Sequence, residues 1–264
     1  MTTTDHTEAL GDPAEPASGP AGHGPDHRGP AATMGAAVRE FVLVVAMALA
    51  LSFVVKTWLF QAFFIPSGSM ENTLRINDRV IVNKLVPSPM SLHRGDIVVF
   101  QDPGGWLPPA TPVDRGPVLN AVNSALTFVG LLPDSSDDHL IKRVIGLPGD
   151  HVSCGADHVV KVNGVPLSEP YVYPGDVAST IEFNITVPAG RIWVMGDHRS
   201  DSEDSRYHDP QGTGAGGSVP ISDVTGRAVA IVWPLDHATW LSDQPATFGT
   251  VPAPGATSSA PAAG

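Results

Sequence analysis

Ser69 is the residue in this chain best placed to act as a nucleophile. It lies in the segment 65–70 (IPSGSM), a few residues beyond the one long apolar stretch of the sequence. A serine hydroxyl is a weak nucleophile at its free pKa and needs an adjacent base. Two familiar contexts for a base are absent, because Ser69 lies in no Gly-x-Ser-x-Gly motif and Asn72, not a lysine, stands third after it. No histidine lies in a recognisable serine-hydrolase context either.

Lys142 is the candidate base. It lies in the segment 139–150 (HLIKRVIGLPGD), where a strand rich in Val and Ile ends in a Pro-Gly turn. Strand alternation places Lys142 on one face with Leu140 and Val144, and Arg143 on the other face. Both faces are apolar, so alternation does not say which cation is buried. A strand lysine that keeps its amine in solvent is the alternative interpretation.

Only a buried Lys142 could act as a base near neutral pH. A free lysine has a pKa of about 10.4, so about one in a thousand or fewer carries a neutral amine at pH 7. Burial among apolar side chains can lower a lysine pKa by about 3–5 units, which would bring Lys142 near working pH. Arginine stays protonated and cannot take this part.

Besides the segments of Ser69 and Lys142, a cluster of polar residues follows a short apolar run at 191–195. The segment 196–206 (GDHRSDSEDSR) mixes carboxylates, arginines and serines. A solvated charged loop is one interpretation. An internally hydrogen-bonded turn that positions a hydroxyl is the other.

Composition limits the class of protein. The 264 residues, 42% apolar and 16% charged, allow one domain with flanking segments, and the net charge of −12 argues against nucleic-acid binding. The 26 Pro and 27 Gly residues favour a turn-rich β fold with disordered ends over a helical bundle. The single cysteine, Cys154, excludes an internal disulfide and is interpreted as a small, half-buried hydrophobic residue.

The apolar stretch at 41–65 predicts a membrane anchor. Its uncharged part, 41–55, would span about 22 Å as a helix, less than the roughly 30 Å hydrocarbon core of a bilayer. Extension to Phe64 reaches that length if Lys56 snorkels and the aromatic side chains of 58–64 lie at the membrane interface. A cleaved secretory signal is the alternative, weakened by the long acidic tail before it.

Beyond residue 78 the sequence predicts an antiparallel, mostly β domain. Short runs rich in Val and Ile are separated by turn residues, and no alternation of strands with helices is visible. The predicted strands are 79–86, 96–101, 139–147, 158–162, 180–187, 191–195 and 226–233. Asn163-Gly164 is the clearest hairpin signal. One helical apolar period, at 118–129 in a proline-rich insert, predicts a surface helix packed on the domain or in contact with a membrane.

Three segments, taken in order behind one apolar anchor, resemble the conserved boxes of bacterial type I signal peptidases. They are 66–70 (PSGSM), 142–150 (KRVIGLPGD) and 196–206, and 94–100 (RGDIVVF) is similar to a further box, a core strand. The resemblance covers about 41–233. The tails and the insert at 103–133 lie outside it.

The resemblance implies a serine endopeptidase that removes N-terminal signal peptides from exported preproteins after Ala-x-Ala, without a metal or organic cofactor. Ser69 would be the nucleophile and Lys142 the general base. Ser67 would donate to the oxyanion beside the backbone N–H of Ser69, and Ser202 would orient the Lys142 amine.

The resemblance also implies two supporting sets of residues. Shallow apolar pockets that admit small substrate side chains would be lined by Ile65, Pro66, Met70, Leu140 and Ile141. The surrounding loops would be held by ion pairs of Arg143, Asp197, Asp204 and Arg206.

The implied organisation is a single-pass plasma-membrane protein with its catalytic domain on the extracytoplasmic side. Composition and hydropathy divide the chain into a disordered tail at 1–35, an anchor at 36–60, a peptidase domain at 61–235 with the insert at 103–133, and a disordered tail at 236–264, and the resemblance makes the first tail cytoplasmic. Its partners would be signal peptides, the lipid bilayer and the export translocon, but not nucleic acid.

Two positions depart from the family pattern, which usually has proline at 72 and commonly asparagine at 198. Asn72 is expected to loosen the turn after Ser69, and His198 to add a titration near neutral pH. Two alternatives remain for the function. One is a Ser-Lys peptidase with another substrate, such as a pilin or a regulator; the other is a non-catalytic, membrane-tethered β-domain that binds peptides by strand addition. The joint presence of Ser69, Lys142 and Ser202 favours an enzyme.

Overall fold

The structure, a computed structural model, describes residues 30–108, 116 and 138–255. The tail at 1–29, the end at 256–264 and most of the insert, including the helix predicted at 118–129, lie outside the described residues. Among the described residues, those up to Ala46 form one compact unit and those from Met47 onward form another.

Helix α1 (Pro30–Val54) opens the described chain. Its stretch Met34–Val54 has 21 residues and a mean hydropathy of 2.1, and none of its most apolar window is buried within the protein. A helix of this length and composition can cross a bilayer. Exposed apolar surface of this extent needs an apolar partner, which lipid can provide. A π-helical turn, Val55–Leu59, follows α1.

The rest of the described chain is an antiparallel β-domain. Its strands in the described ranges are β1 (Phe60–Phe64), β2 (Arg79–Asn83), β3 (Ile97–Gln101), β4 (His139–Gly146), β5 (His151–Cys154), β6 (Val160–Val162), β7 (Val165–Pro166), β8 (Phe183–Thr186), β9 (Arg191–Met195), β10 (Val219–Pro220), β11 (Val224–Trp233) and β12 (Thr239–Trp240). Short 3-10 turns lie at Arg199–Asp201 and Ile221–Asp223, and a short helix, α2, spans Pro245–Phe248. This architecture confirms the predicted fold class.

The strands form two sheets. The larger has the order β1-β2-β11-β3-β4-β9-β10, with β12 paired to β11, and the smaller has the order β7-β6-β5-β8. The hairpin predicted at Asn163-Gly164 is confirmed, since Val162 pairs with Val165 across it. Both turn residues have positive φ angles, 52° and 82°, as a two-residue type I′ turn requires.

The larger sheet is covered on both faces. One face carries a cluster that includes Val99 and Ile141, and the other carries a cluster that includes Val98 and Leu140. A strand buried on both faces can be apolar at almost every position. This explains why the sequence of β4 shows no polar face.

The aromatic run at 58–64 was expected at a membrane interface, and this expectation is wrong for Phe63. That side chain is 2% exposed and packs in the core, because residues 60–64 of the run form β1, which pairs with β2. Trp58 and Phe60 are exposed, at 70% and 41%.

The tail predicted to be disordered at 236–264 is ordered over its described part. It contains β12 and α2, and Phe248 and Val251 are buried with the core of the smaller sheet. Hydrogen bonds also hold this segment, since Arg94 donates to the carbonyls of Val251 and Pro252, over 3.4 and 3.1 Å, and β12 pairs with β11.

Candidate active site

Ser69 lies in the loop that joins β1 to β2. The backbone N–H of Ile65 donates to the carbonyl of Asp78 over 2.9 Å and closes the base of this loop. Met70 and Leu74 are both 0% exposed, so their side chains hold the loop on the core. Ser69 itself is 6% exposed. The apolar neighbours of Ser69 therefore fix the position of its hydroxyl.

Lys142 reaches the same place from β4. This strand lies between β3 and β9 in the larger sheet, and Val98 of β3 pairs with Lys142. The strand pattern left open which cation is buried. Lys142 is 4% exposed and Arg143 is 0% exposed, so both are buried, on opposite faces of the strand.

The amine of Lys142 and the hydroxyl of Ser69 are in direct contact. Lys142 Nζ donates a hydrogen bond to Ser69 Oγ over 2.5 Å. When the amine is neutral, the direction reverses and the hydroxyl donates to the nitrogen. A nucleophile and a base within hydrogen-bond reach are the geometry that serine catalysis needs.

Burial changes the chemistry of this amine. Desolvation lowers the pKa of Lys142 from 10.5 to about 8, although the nearby Asp204 carboxylate acts to raise it. A lysine with a pKa of about 8 is neutral in about one molecule in ten at pH 7. The amine is therefore available as a base near physiological pH.

Ser67 supplies a second hydroxyl beside the pair. It is exposed and lines the same cleft as Ser69 and Lys142. Within the described part of the chain its hydroxyl makes no hydrogen bond, which leaves it free to donate to a ligand. Such a donor is what a developing oxyanion requires.

The cleft has a volume of about 380 Å³ and is lined by three of the five residues expected to form substrate pockets, namely Pro66, Leu140 and Ile141. The expectation is wrong for the other two. Ile65 and Met70 are 2% and 0% exposed and pack in the core beneath the loop. Their apolar character serves to hold the loop, and sequence alone does not separate that purpose from pocket lining.

Ser202 lies close to the pair but bonds elsewhere. Its hydroxyl donates to Asp204 Oδ2 over 2.8 Å, and the expected hydrogen bond to Lys142 is not made. Arg206 forms a bidentate ion pair with Asp204, in which Nε donates to Oδ1 and Nη2 to Oδ2, each over 2.8 Å. Burial raises the pKa of Asp204, but the Arg206 guanidinium, the Gly196 N–H and the Lys142 charge together hold it below its ordinary value.

Arg143 and Asp197 form the other buried ion pair. Arg143 donates to Asp197 through Nε over 2.8 Å and through Nη2 over 2.5 Å. Thr73, on the loop that carries Ser69, donates to the same carboxylate over 2.5 Å. The Tyr171 ring lies 4.1 Å from the Arg143 guanidinium. Asp197 therefore ties the Ser69 loop to β4. Sequence reasoning missed Thr73 and Tyr171, since neither stands out by type or spacing.

Gly196 was also missed as a site residue. A Cβ atom at this position would overlap the Ser69 carbonyl and the Ser202 hydroxyl. The chain that follows β9 can approach the Ser69 loop this closely only because residue 196 has no side chain. The backbone N–H of His198 completes the contact by donating to the Ser69 carbonyl over 3.2 Å.

Asn72 does not loosen the turn after Ser69, so that expectation is wrong. Its φ angle is 71°, in the left-handed region, which asparagine tolerates and proline cannot adopt. Its side-chain amide donates to the backbone carbonyls of Tyr171 and Val172, over 3.2 and 3.4 Å. The turn is therefore fastened to the segment that carries Tyr171.

His198, the other departure, stacks on Tyr173 with ring centroids 3.9 Å apart. Its Nδ1 lies 3.7 Å from Glu71 Oε2 and 4.0 Å from Asp201 Oδ2. Its titration near neutral pH stays a prediction. In the described ranges no group of three or more His, Cys, Asp or Glu residues could hold a metal ion.

An antiparallel β-domain that presents a serine hydroxyl to a buried amine in an open cleft has the features of a serine hydrolase. Comparison with known proteins gives the same class. The family model described as signal peptidase, peptidase S26, matches residues 38–233. The chain therefore belongs to the signal peptidase family, and it is a serine peptidase of the signal peptidase I type.

Individual relatives share most of their length with this chain. A probable signal peptidase I of Mycobacterium leprae is 37% identical in an alignment of 223 residues that covers 75% of this chain and 77% of the relative. Signal peptidase I of Mycobacterium tuberculosis (strain CDC 1551 / Oshkosh) is 38% identical in an alignment of 215 residues that covers 75% of this chain and 73% of the relative. A crystal structure of a signal peptidase I from Enterococcus faecalis V583 is 26% identical, covers 52% of this chain and 95% of that chain, and superposes with a TM-score of 0.32.

Proposed function

We propose that this chain is a membrane-bound endopeptidase that removes N-terminal signal peptides from exported preproteins, with Ser69 as nucleophile and Lys142 as general base. The observation that carries the proposal is the 2.5 Å contact between Lys142 Nζ and Ser69 Oγ, made by an amine whose pKa burial lowers to about 8.

This contact supports the following reaction. The neutral Lys142 amine takes the proton of Ser69 as Oγ attacks the scissile carbonyl. The oxyanion accepts hydrogen bonds from the backbone N–H of Ser69 and the hydroxyl of Ser67. The Lys142 ammonium then donates its proton to the leaving amine, which yields an ester between Ser69 and the signal peptide. Water, deprotonated by Lys142, hydrolyses this ester and restores Ser69.

The cleft supports the proposed preference for small residues, as in Ala-x-Ala, before the scissile bond. Its apolar walls include Leu140 and Ile141, which are 8% and 7% exposed. We expect walls buried to this extent to leave room for an alanine side chain and to exclude larger ones.

The apolar helix provides the link to the membrane. In this proposal α1 crosses the bilayer once and the β-domain lies on the extracytoplasmic side, where a signal peptide emerges. The substrates are signal peptides of exported preproteins, and the export translocon is a neighbour that delivers them.

The test is cleavage of a secreted preprotein in detergent by wild type, Ser69→Ala, Lys142→Ala and Lys142→Arg. All three variants are expected to lose about a hundred- to ten-thousandfold or more in kcat/KM, since each removes the nucleophile or the base. Lys142→Arg keeps the charge but cannot lose a proton. Lys161→Arg, at a side chain 39% exposed, is the matched control and should cleave normally. Cleavage that survives Ser69→Ala or Lys142→Ala would refute the dyad.

A further inference from the structure

The start of the proline-rich insert forms one wall of the cleft. Trp106 and Leu107 line it together with Leu140, Ser69 and Lys142. These two insert residues lie outside the boxes that carry the family resemblance.

Trp106 is fixed by two aromatic neighbours. Its ring stacks on the imidazole of His208 with centroids 4.4 Å apart and planes at 9°. It meets Phe100 of β3 edge-on, at 5.9 Å and 89°. Only 6% of Trp106 is exposed. A ring held in this way cannot move aside for a substrate without giving up one of the two contacts.

The backbone that carries Trp106 is held as firmly as its ring. Asp102 directly follows β3, and its Oδ1 accepts hydrogen bonds from the N–H groups of Gly104 and Trp106, over 2.9 and 3.0 Å. Its Oδ2 accepts from the N–H of Leu107 over 3.2 Å. β3 pairs directly with β4, the strand of Lys142. The wall and the base are therefore built on the same pair of strands.

His208 joins this wall to the loop that carries Ser202 and Asp204. Its Nε2 is buried and has no hydrogen-bond partner within the described ranges. Burial also lowers the pKa of His208. His208 therefore supports Trp106 through the flat face of a neutral ring, and a phenylalanine ring could replace it.

We propose that Trp106 determines specificity: its fixed indole limits the size of the substrate side chain that lies in the cleft beside Lys142. This inference rests on the proposed function. Alanine fits against the indole edge, whereas leucine at the same substrate position collides with a wall that cannot retreat. The restriction applies to the one substrate position that faces Trp106.

The test compares peptides in which leucine replaces one residue at a time of an alanine-rich reference. The positions are the three residues before the scissile bond and the first residue after it. For one of these positions, Trp106→Ala is expected to raise the ratio of kcat/KM for leucine over alanine by about tenfold or more, the scale on which pockets discriminate methylene groups. Trp106→Leu, which keeps an apolar side chain in case the alanine variant folds poorly, should raise it less.

Two control variants separate the wall from general effects. His208→Phe keeps a stacking ring and should retain the wild-type ratio. Trp240→Ala removes an indole that is 81% exposed and should leave the ratio unchanged. A ratio that stays at the wild-type value for every position in both Trp106 variants overturns the inference.

Failure of the inference can be told apart from failure of the proposed function. Loss of cleavage in Ser69→Ala tests the proposed function alone. Binding of the same labelled peptides to Ser69→Ala, with and without Trp106→Ala, repeats the size comparison in the absence of catalysis. Tighter relative binding of one leucine peptide to the double variant supports the wall, and unchanged relative affinities contradict it.

Discussion

In the proposed mechanism Lys142 becomes a base through its surroundings. A lysine at its ordinary pKa of 10.5 would be neutral in about three of ten thousand molecules at pH 7, whereas a pKa of about 8 makes about one in ten neutral. The gain, about three-hundredfold, comes from the removal of the amine from water. Neither residue type nor spacing along the chain reveals it, since Ser69 and Lys142 are 73 positions apart.

A proline at 72 should be harmful in this chain even though proline is the residue expected from the family pattern. Asn72 has a φ angle of 71°, and proline locks φ near −65°, so Asn72→Pro must rebuild the turn after Ser69. We expect kcat to fall and the free energy of unfolding to drop by about 1–3 kcal/mol. Kinetics and thermal unfolding of the purified variant measure both.

Asn72→Gly is the matched control for this prediction. Glycine keeps the left-handed backbone and loses only the two hydrogen bonds to the 171–172 segment, so its effect should be the milder of the two. A proline variant as active and as stable as wild type would contradict the account of this turn.

At the scale of elements, β4 carries the two decisive cations on opposite faces of one buried strand. Arg143 is paired with Asp197, but Lys142 has only the Ser69 hydroxyl as a direct partner among the described residues. A buried ammonium without an ion-pair partner destabilises the folded state. The strand therefore gives up stability for the sake of the proposed chemistry.

Lys142→Met should stabilise the fold while it abolishes cleavage. The pKa of Lys142 is about 8 when folded, below the ordinary 10.5, so the folded state binds fewer protons than the unfolded state between these values. The buried charge therefore destabilises the wild-type protein fully below pH 8, and this destabilisation disappears as the pH rises towards 10.5. We expect the variant to gain up to about 3 kcal/mol at pH 7 and progressively less above pH 8.

Unfolding in detergent at pH 7 and at pH 10 measures this difference. Val144→Met on the same strand face (0% exposed) controls for the general effect of a methionine in the core. An advantage of Lys142→Met that does not shrink with pH would mean that the charge is not its cause.

The sequence predicts elements better than it predicts their surroundings. Strands with two apolar faces, such as β4, and turns such as Asn163-Gly164 can be predicted from the local sequence. The aromatic run that contains β1 cannot, because a half-buried strand and a segment at a membrane interface have the same composition. Likewise, the bond from Ser202 to Asp204 depends on which partner the fold brings closest.

At the scale of the whole molecule, the candidate catalytic residues and the contacts recorded for them within the described ranges lie in the β-domain. Removal of residues 1–54 should therefore leave most of the activity on a short peptide in detergent. The same truncation should make the protein extractable from lipid vesicles at alkaline pH, because the apolar helix is lost.

Extraction and peptide assays on full-length and truncated protein measure both effects. A truncated protein that resists extraction would show that other surfaces hold it in the bilayer. Loss of peptide cleavage in a folded truncated protein would show that the helix belongs to the catalytic unit.

The central claim, that a buried neutral lysine activates Ser69, is tested most directly by the pH dependence of kcat/KM on a peptide substrate. Activity should rise with pH and level off with an apparent pKa of about 8, the value that burial gives Lys142. A basic limb near the ordinary lysine pKa of 10.5, or a profile unchanged by Lys142→Arg, would contradict it.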